Sequence, residues 1–150
     1  TRVMEVTAGN IDGLISDLDL VLDATDNFET RYLINDACIR SNKPWIYGGV
    51  IATSGMSMTV IPGRGPCLRC LFPEPPGPGT VPGIDTEGVL ATAPVTVAAL
   101  QVTEAIKLLC GAQPREGLGR QGGGGDSLLW LCPSGPQGQA PFGHRCQAGG

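Results

Sequence analysis

A chain of 150 residues suits one domain, or a domain plus a tail, and 41% hydrophobic content supplies a core even though aromatics make up only 5%. A net charge of −4 without long runs of either sign leaves no basic face for nucleic acid, and no apolar stretch approaches the roughly 18 residues that span a membrane. The opening TRVMEV lacks a charged-then-apolar signal pattern, so a cytoplasmic protein is expected. The six cysteines, with one CxxC among them, then point to metal binding before a disulfide framework.

Taken in order, Thr1–Val6 reads as the end of an edge strand, and Asn10–Asp17 as a short helix with Asn10 as its cap. Leu18, Leu20, Val21, Leu22 and Ala24 form a near-continuous apolar run, the pattern of a parallel strand covered on both faces. Asp26 stands at its end as an N-cap, with Glu29 three residues on completing a capping box, and a helix follows over Phe28–Asn42. After Pro44 a partner strand starts at Trp45–Tyr47 and is broken or bulged by Gly48-Gly49. Gly55–Ile61 alternates, Met56, Met58 and Val60 against Ser57 and Thr59, which predicts a half-covered antiparallel strand. Leu71–Gly88, rich in proline and glycine, reads as a long crossover loop. Ala93–Cys110 is the strongest helix, with Pro94 in its first turn, Lys107 near its end and Gly111 as C′. The last 40 residues hold 12 of the 23 glycines, and only Ser127–Cys132 there looks like a strand.

Two constellations carry chemistry. Asp26-Asn27 lies at the carboxyl end of a strand and the amino end of a helix, where open α/β sheets bind ligands. Asp23 adds a second acid and Arg31 a nearby cation. A carboxylate in that place can hold Mg²⁺ and, through it, phosphate; helix capping alone explains it about equally well. Cys67 and Cys70 have the spacing at which two thiolates grip one Zn²⁺. Their position between Pro66 and Pro73 favours a zinc knuckle over a redox dithiol, and the candidates to complete the set are Cys132 and Cys146, with His144 beside the latter. His144 alone reads as a solvated residue, and Cys38 and Cys110 as core residues on helices. Gly122–Gly125 lacks the pattern of a phosphate loop.

In this order, DLVLDATDNFETRYLINDAC (19–38), PWIYGGV (44–50), PGRGPCLRCLFPEPP (62–76), GVLATAP (88–94) and AIKLLCG (105–111) resemble the ubiquitin-activating-enzyme-like ThiF/MoeB/HesA sulfur-carrier adenylyltransferases. The resemblance covers residues 1–112. It leaves 113–150 as a divergent, largely irregular tail with one possible strand at 127–132. It implies a partial Rossmann-like α/β adenylation domain, with the first βαβ phosphate-binding half missing, a long crossover loop and a Gly/Pro-rich tail. It implies ATP, Mg²⁺ and Zn²⁺, and adenylation of the C-terminal Gly-Gly of a ubiquitin-like sulfur-carrier protein in thiamin, molybdopterin or related sulfur-transfer biosynthesis. It also implies a homodimer. The family's catalytic Asp falls on Asp26, which would meet Mg²⁺ and phosphate, with Asn27 beside it at the nucleotide. Cys67 and Cys70 would hold zinc, and Cys146 falls at the start of a second zinc pair whose other member would be Gly149.

Two departures qualify what the resemblance implies. The Gly-rich phosphate turn, the ribose acid and the phosphate-binding Arg and Lys of the family precede the position of Thr1, so this chain is expected to be a C-terminal piece without tight ATP binding. The position of the family's thioester- or persulfide-forming cysteine is occupied by Ile84, which is not a nucleophile. A non-catalytic zinc-binding or scaffold protein keeping the fold is the alternative. A dinucleotide-binding oxidoreductase would need a GxGxxG, which is not visible.

Overall fold

The computed structural model describes residues 1–77 and 88–112 in full and 127–131 as backbone alone. Its centre is a four-stranded mixed sheet in the order β1 (Val21–Leu22), β2 (Trp45–Ile51), β3 (Ser54–Val60), β4 (Ser127–Leu131). The first pair is parallel and the others antiparallel. Among the described residues four helices accompany it: α1 (Ile11–Ile15), α2 (Phe28–Arg40), α3 (Leu68–Leu71) and α4 (Thr92–Leu109).

The period-2 alternation of the strands sorts the two faces. Trp45, Tyr47, Met56, Met58 and Val60 join Ile11, Ile15, Tyr32, Ile34, Ala37, Cys38 and Leu68 in one core, under α1, α2 and α3. Burial there pushes the Cys38 thiol up to about 12, which keeps it protonated and inert. On the opposite face Gly48 and Gly55 lie beneath α4. A Cβ on Gly55 would stand 2.5 Å from Val97, and one on Gly48 the same distance from Gln101, so the helix sits where these two residues have no side chains. Both faces of the sheet are therefore covered.

Several expectations are corrected. Thr1–Val6 is not a strand: Val3 is 99% exposed, and the side chain of Asn10 turns this segment by accepting from the Thr7 amide and donating to the Glu5 carbonyl. That use of Asn10 is also why it gives α1 no side-chain cap. The run from Leu18 shortens to two residues, with Leu18 and Leu22 exposed, because β1 pairs only with β2 among the described residues. Gly48-Gly49 does not break β2; both stay in the ladder opposite Ser57 and Met56. The β3 strand is covered on both faces rather than one, since α4 shields Ser57 and Thr59.

Both long helices end as glycine or asparagine signals direct. Asn42 (φ 52) closes α2, with Lys43 N–H on the Cys38 carbonyl, and Gly111 (φ 69) closes α4, with Ala112 N–H on the Lys107 carbonyl. The segment returning after residue 87 is fastened to the β2–β3 hairpin: Val89 bridges Ala52 in parallel and the Leu90 amide donates to the Ala52 carbonyl. Residues 78–87, including Ile84, lie outside the described residues. So do Cys132, His144, Cys146 and Gly122–Gly125.

Candidate active site

The turn from β1 to α2, residues 23–27, is built by its own side chains. The Asp23 carboxylate, 2% exposed, accepts from both the amide and the hydroxyl of Thr25, at 2.8 and 2.7 Å. Its other oxygen accepts from Arg31 Nε at 3.1 Å and from the Gly48 amide. Arg31, 8% exposed, reaches back one helical turn and donates through Nη2 to the carbonyls of Thr25 and Gly48, at 2.6 and 3.1 Å. Its guanidinium lies between the rings of Phe28 and Tyr47, 5.6 and 5.3 Å from their centroids. Burial raises the Tyr47 phenol above its ordinary range, Arg31 acting against it, so the ring remains a neutral wall for the cation. On the opposite face of the sheet Gln101 Nε2 donates to the carbonyls of Asp23 and Ile46, at 2.8 and 3.1 Å.

The structure separates Asp26 from the capping role. The N-cap is Asn27, in extended conformation, whose Oδ1 accepts from the Thr30 amide at 2.8 Å. With the cap one residue later, Thr30 and not Glu29 stands at N3, and no capping box forms. Asp26 is exposed, and the contact described for its carboxylate is the Asn27 amide at 3.2 Å. Capping, the plain explanation for an acid here, is therefore met by its neighbour. Asp23 is no second site acid either, because Thr25, Arg31 and Gly48 take up its oxygens.

Asp26 opens onto a cleft of about 610 Å³ between the β1–α2 turn, the glycine-rich end of β2 and the start of α4. Arg31, Gly48, Gly49, Phe28, Phe72 and Pro94 line it with Asp26. Sequence reasoning found Asp26, Asn27 and the proximity of Arg31. It missed Gln101, Gly48 and Phe72. A polar residue interrupting the buried face of α4 and a glycine pair in a strand were the available signals.

The cysteine pair does not line this cleft; its turn packs against the middle of α2, and Phe72 just beyond it reaches the cleft. Cys67 caps a single helical turn, α3, and its sulfur is 3.8 Å from that of Cys70. Three α2 side chains on one helical face hold this turn: Asn35 Oδ1 accepts from the Leu68 amide, Asp36 pairs both oxygens with Arg69, and Tyr32 donates to the Phe72 carbonyl. Zn–S bonds of about 2.3 Å in a tetrahedron place two sulfurs about 3.8 Å apart, so the pair fits one edge of a zinc site. Among the described residues no group of three or more metal-ligating side chains is present.

Comparison with known proteins gives a consistent result. The SAMP-activating enzyme E1 of Haloferax volcanii is 48% identical over 104 residues, 69% of this chain and 38% of that protein. The sulfur carrier protein ThiS adenylyltransferase of Bacillus subtilis is 45% identical over 111 residues, 74% of this chain and 32% of that protein. Among solved structures, E. coli MccB superimposes with a TM-score of 0.56 at 18% identity, over 73% of this chain and 35% of that one. Its complex with ATP gives 0.52 at 19% identity, over 69% and 33%. At these identities the likeness to MccB is one of fold, a mixed α/β fold. The chain spans about a third of the length of these relatives. The model of the ThiF family matches residues 1–121, and the chain belongs to that family.

Proposed function

We propose that this chain provides the metal-and-phosphate side of an ATP-dependent adenylation site. In this reading the whole enzyme adenylates the C-terminal glycine of a ubiquitin-like sulfur-carrier protein. The observation that carries it is the release of Asp26 from capping: an exposed carboxylate on a braced turn, facing a cleft at the carboxyl end of a parallel strand. The printed names of the relatives, a SAMP-activating E1 and a ThiS adenylyltransferase, support it.

The chemistry makes matching demands. A carrier carboxylate oxygen attacks the α-phosphorus of ATP, the bond to the bridging oxygen breaks, and pyrophosphate leaves with the electron pair. Attack of anion on anion requires charge neutralisation and alignment. Asp26, with Asn27 beside it, would hold Mg²⁺, which supplies that neutralisation. Arg31, Asp23 and Thr25 fix the backbone from which Asp26 projects. The apolar walls at Phe28, Phe72 and Pro94 would exclude water from the acyl-adenylate. The nucleotide's remaining contacts would fall to the phosphate-binding half of a complete adenylation domain.

Three further assignments belong to the same proposal. Cys67 and Cys70 form half of a structural zinc site, with Cys146 as a third ligand. A second copy of the chain packs on α4, whose exposed Val95, Val102, Ile106 and Leu109 follow, with Ala99, the alternating four-three spacing of a seam that pairs with itself. The location is cytoplasmic.

ATP–pyrophosphate exchange by the full-length protein with candidate carriers tests the reading. The parent is expected to exchange, and Asp26→Asn to lose at least about 100-fold, the scale of removing one electrostatic stabiliser. An Asp26→Asn protein that exchanges as fast as the parent overturns the assignment. A parent that exchanges with no carrier favours a scaffold that keeps the fold.

A further inference from the structure

We infer that Gln101 and Thr25 are positioning residues for Asp26, through which α4 controls the metal-holding turn; this rests on the reading of Asp26 given above.

The β1–α2 turn receives fixed bonds from two elements distant in sequence. Arg31, on the helix the turn starts, holds the Thr25 and Gly48 carbonyls. Gln101, 7% exposed in the middle of α4, holds the Asp23 and Ile46 carbonyls with one amide nitrogen. Asp23 sits at the junction: its carbonyl belongs to Gln101 and its carboxylate to Thr25 and Arg31. Thr25 is held at all three of its polar groups, the amide and hydroxyl by Asp23 and the carbonyl by Arg31. Asp26 is the next residue, and the one contact described for its own carboxylate is the neighbouring Asn27. The backbone from which its carboxylate projects is therefore set by where Thr25 is placed.

Gly48 makes the arrangement geometrically possible. Its missing side chain is the space the Gln101 amide occupies, 2.5 Å from where a Cβ would stand. Burying a primary amide is costly unless its donors are matched, and the matches here are the Asp23 carbonyl in the turn and the Ile46 carbonyl on β2 beside it. A core position on a helix that otherwise buries Val97 and Ala105 is better filled by an aliphatic residue if packing is the sole requirement. The same helix carries the exposed apolar stripe at Val95, Val102 and Ile106 on its other side, so anything docked there bears on Gln101 through one rigid element.

The test uses the full-length protein with Gln101→Leu, close in volume and unable to donate, Thr25→Ala, which removes only the hydroxyl contact, and Asp26→Asn as control. Metal binding is read directly by titrating Mn²⁺ in the presence of a non-hydrolysable ATP analogue, followed by electron paramagnetic resonance. Exchange kinetics give the Mg²⁺ requirement separately from the KM for the carrier. Supporting groups behind a metal ligand are worth about 10- to 100-fold in metal affinity. Gln101→Leu is expected to weaken Mn²⁺ and raise the Mg²⁺ requirement by that factor, with the carrier KM within about twofold, a separation that general loosening would not produce. Thr25→Ala is expected to move the same quantities by a smaller factor, and it decides the matter should Gln101→Leu not fold. If Asp26→Asn abolishes metal binding while Thr25→Ala, and any folded Gln101→Leu, keep the parent's metal affinity, the positioning role is overturned and the reading of Asp26 stands. If Asp26→Asn itself keeps the parent's metal affinity, both fall.

Discussion

Asn27 commits its side chain to the first turn of α2, and this leaves the Asp26 carboxylate to the cleft. The two residues are adjacent and similar in shape, yet their replacements should separate. Asn27→Ala removes the cap and is expected to cost about 1 kcal/mol of stability. Asp26→Ala, at an exposed position outside the helix, should stay within about 0.5 kcal/mol. Urea unfolding of the two variants checks this; equal losses would return Asp26 to a structural role. Buried Asp23 and Arg31 behave differently from either, since removing one partner of such a pair strands the other charge away from water, at about 3–5 kcal/mol.

At the scale of elements, α2 is the beam that joins the cleft to the cysteine turn. Arg31 faces the β1–α2 turn, while Tyr32, Asn35 and Asp36 face α3. The Arg69 guanidinium, bonded to both oxygens, holds the Asp36 carboxyl below the usual carboxylate range, against the opposing pull of burial. A folded-state value below the unfolded one stabilises the protein above about pH 4, and the contribution is lost as pH falls through the folded value. Both side chains are more than a third exposed, so the effect is expected to be at most about 1 kcal/mol. The stability difference between the parent and Asp36→Asn, followed by urea titration, should be largest near neutral pH and vanish in acid; a difference that grows in acid contradicts the pairing. The same element carries the zinc prediction. The full-length protein should contain roughly one zinc per chain, and chelation or Cys67→Ser should lower the thermal midpoint, as measured by elemental analysis and melting curves. Metal-free protein with an unchanged midpoint would leave Cys67 and Cys70 as packing residues.

At the scale of the whole molecule, one face of α4 is buried on β2 and β3 and the other is apolar and exposed. Ile106, 57% exposed, lies within that stripe. Ile106→Asp is expected to convert a dimer to a monomer, read by sedimentation or light scattering on full-length protein. A parent that is already monomeric at micromolar concentration removes the second copy from the proposal.

The sequence by itself determined the periodic elements: α2 and α4 lie within a residue or two of where the apolar spacing and the Gly111 stop put them, and β4 falls inside Ser127–Cys132. It also determined the family, because five ordered motifs survive over residues 1–112. Only the tertiary structure decided what depends on contacts between residues distant in the chain. Local spacing, with Glu29 three residues on, points to Asp26 as the cap; the dihedrals and the Thr30 bond choose Asn27. A glycine pair in a strand reads as a break until α4 is seen packed into the space Gly48 leaves and the Tyr47 side chain into that of Gly49. An alternating strand reads as half-covered until a helix 40 residues later covers its polar face. Gln101 is 78 residues from the Asp23 carbonyl it holds, and no window along the chain contains both.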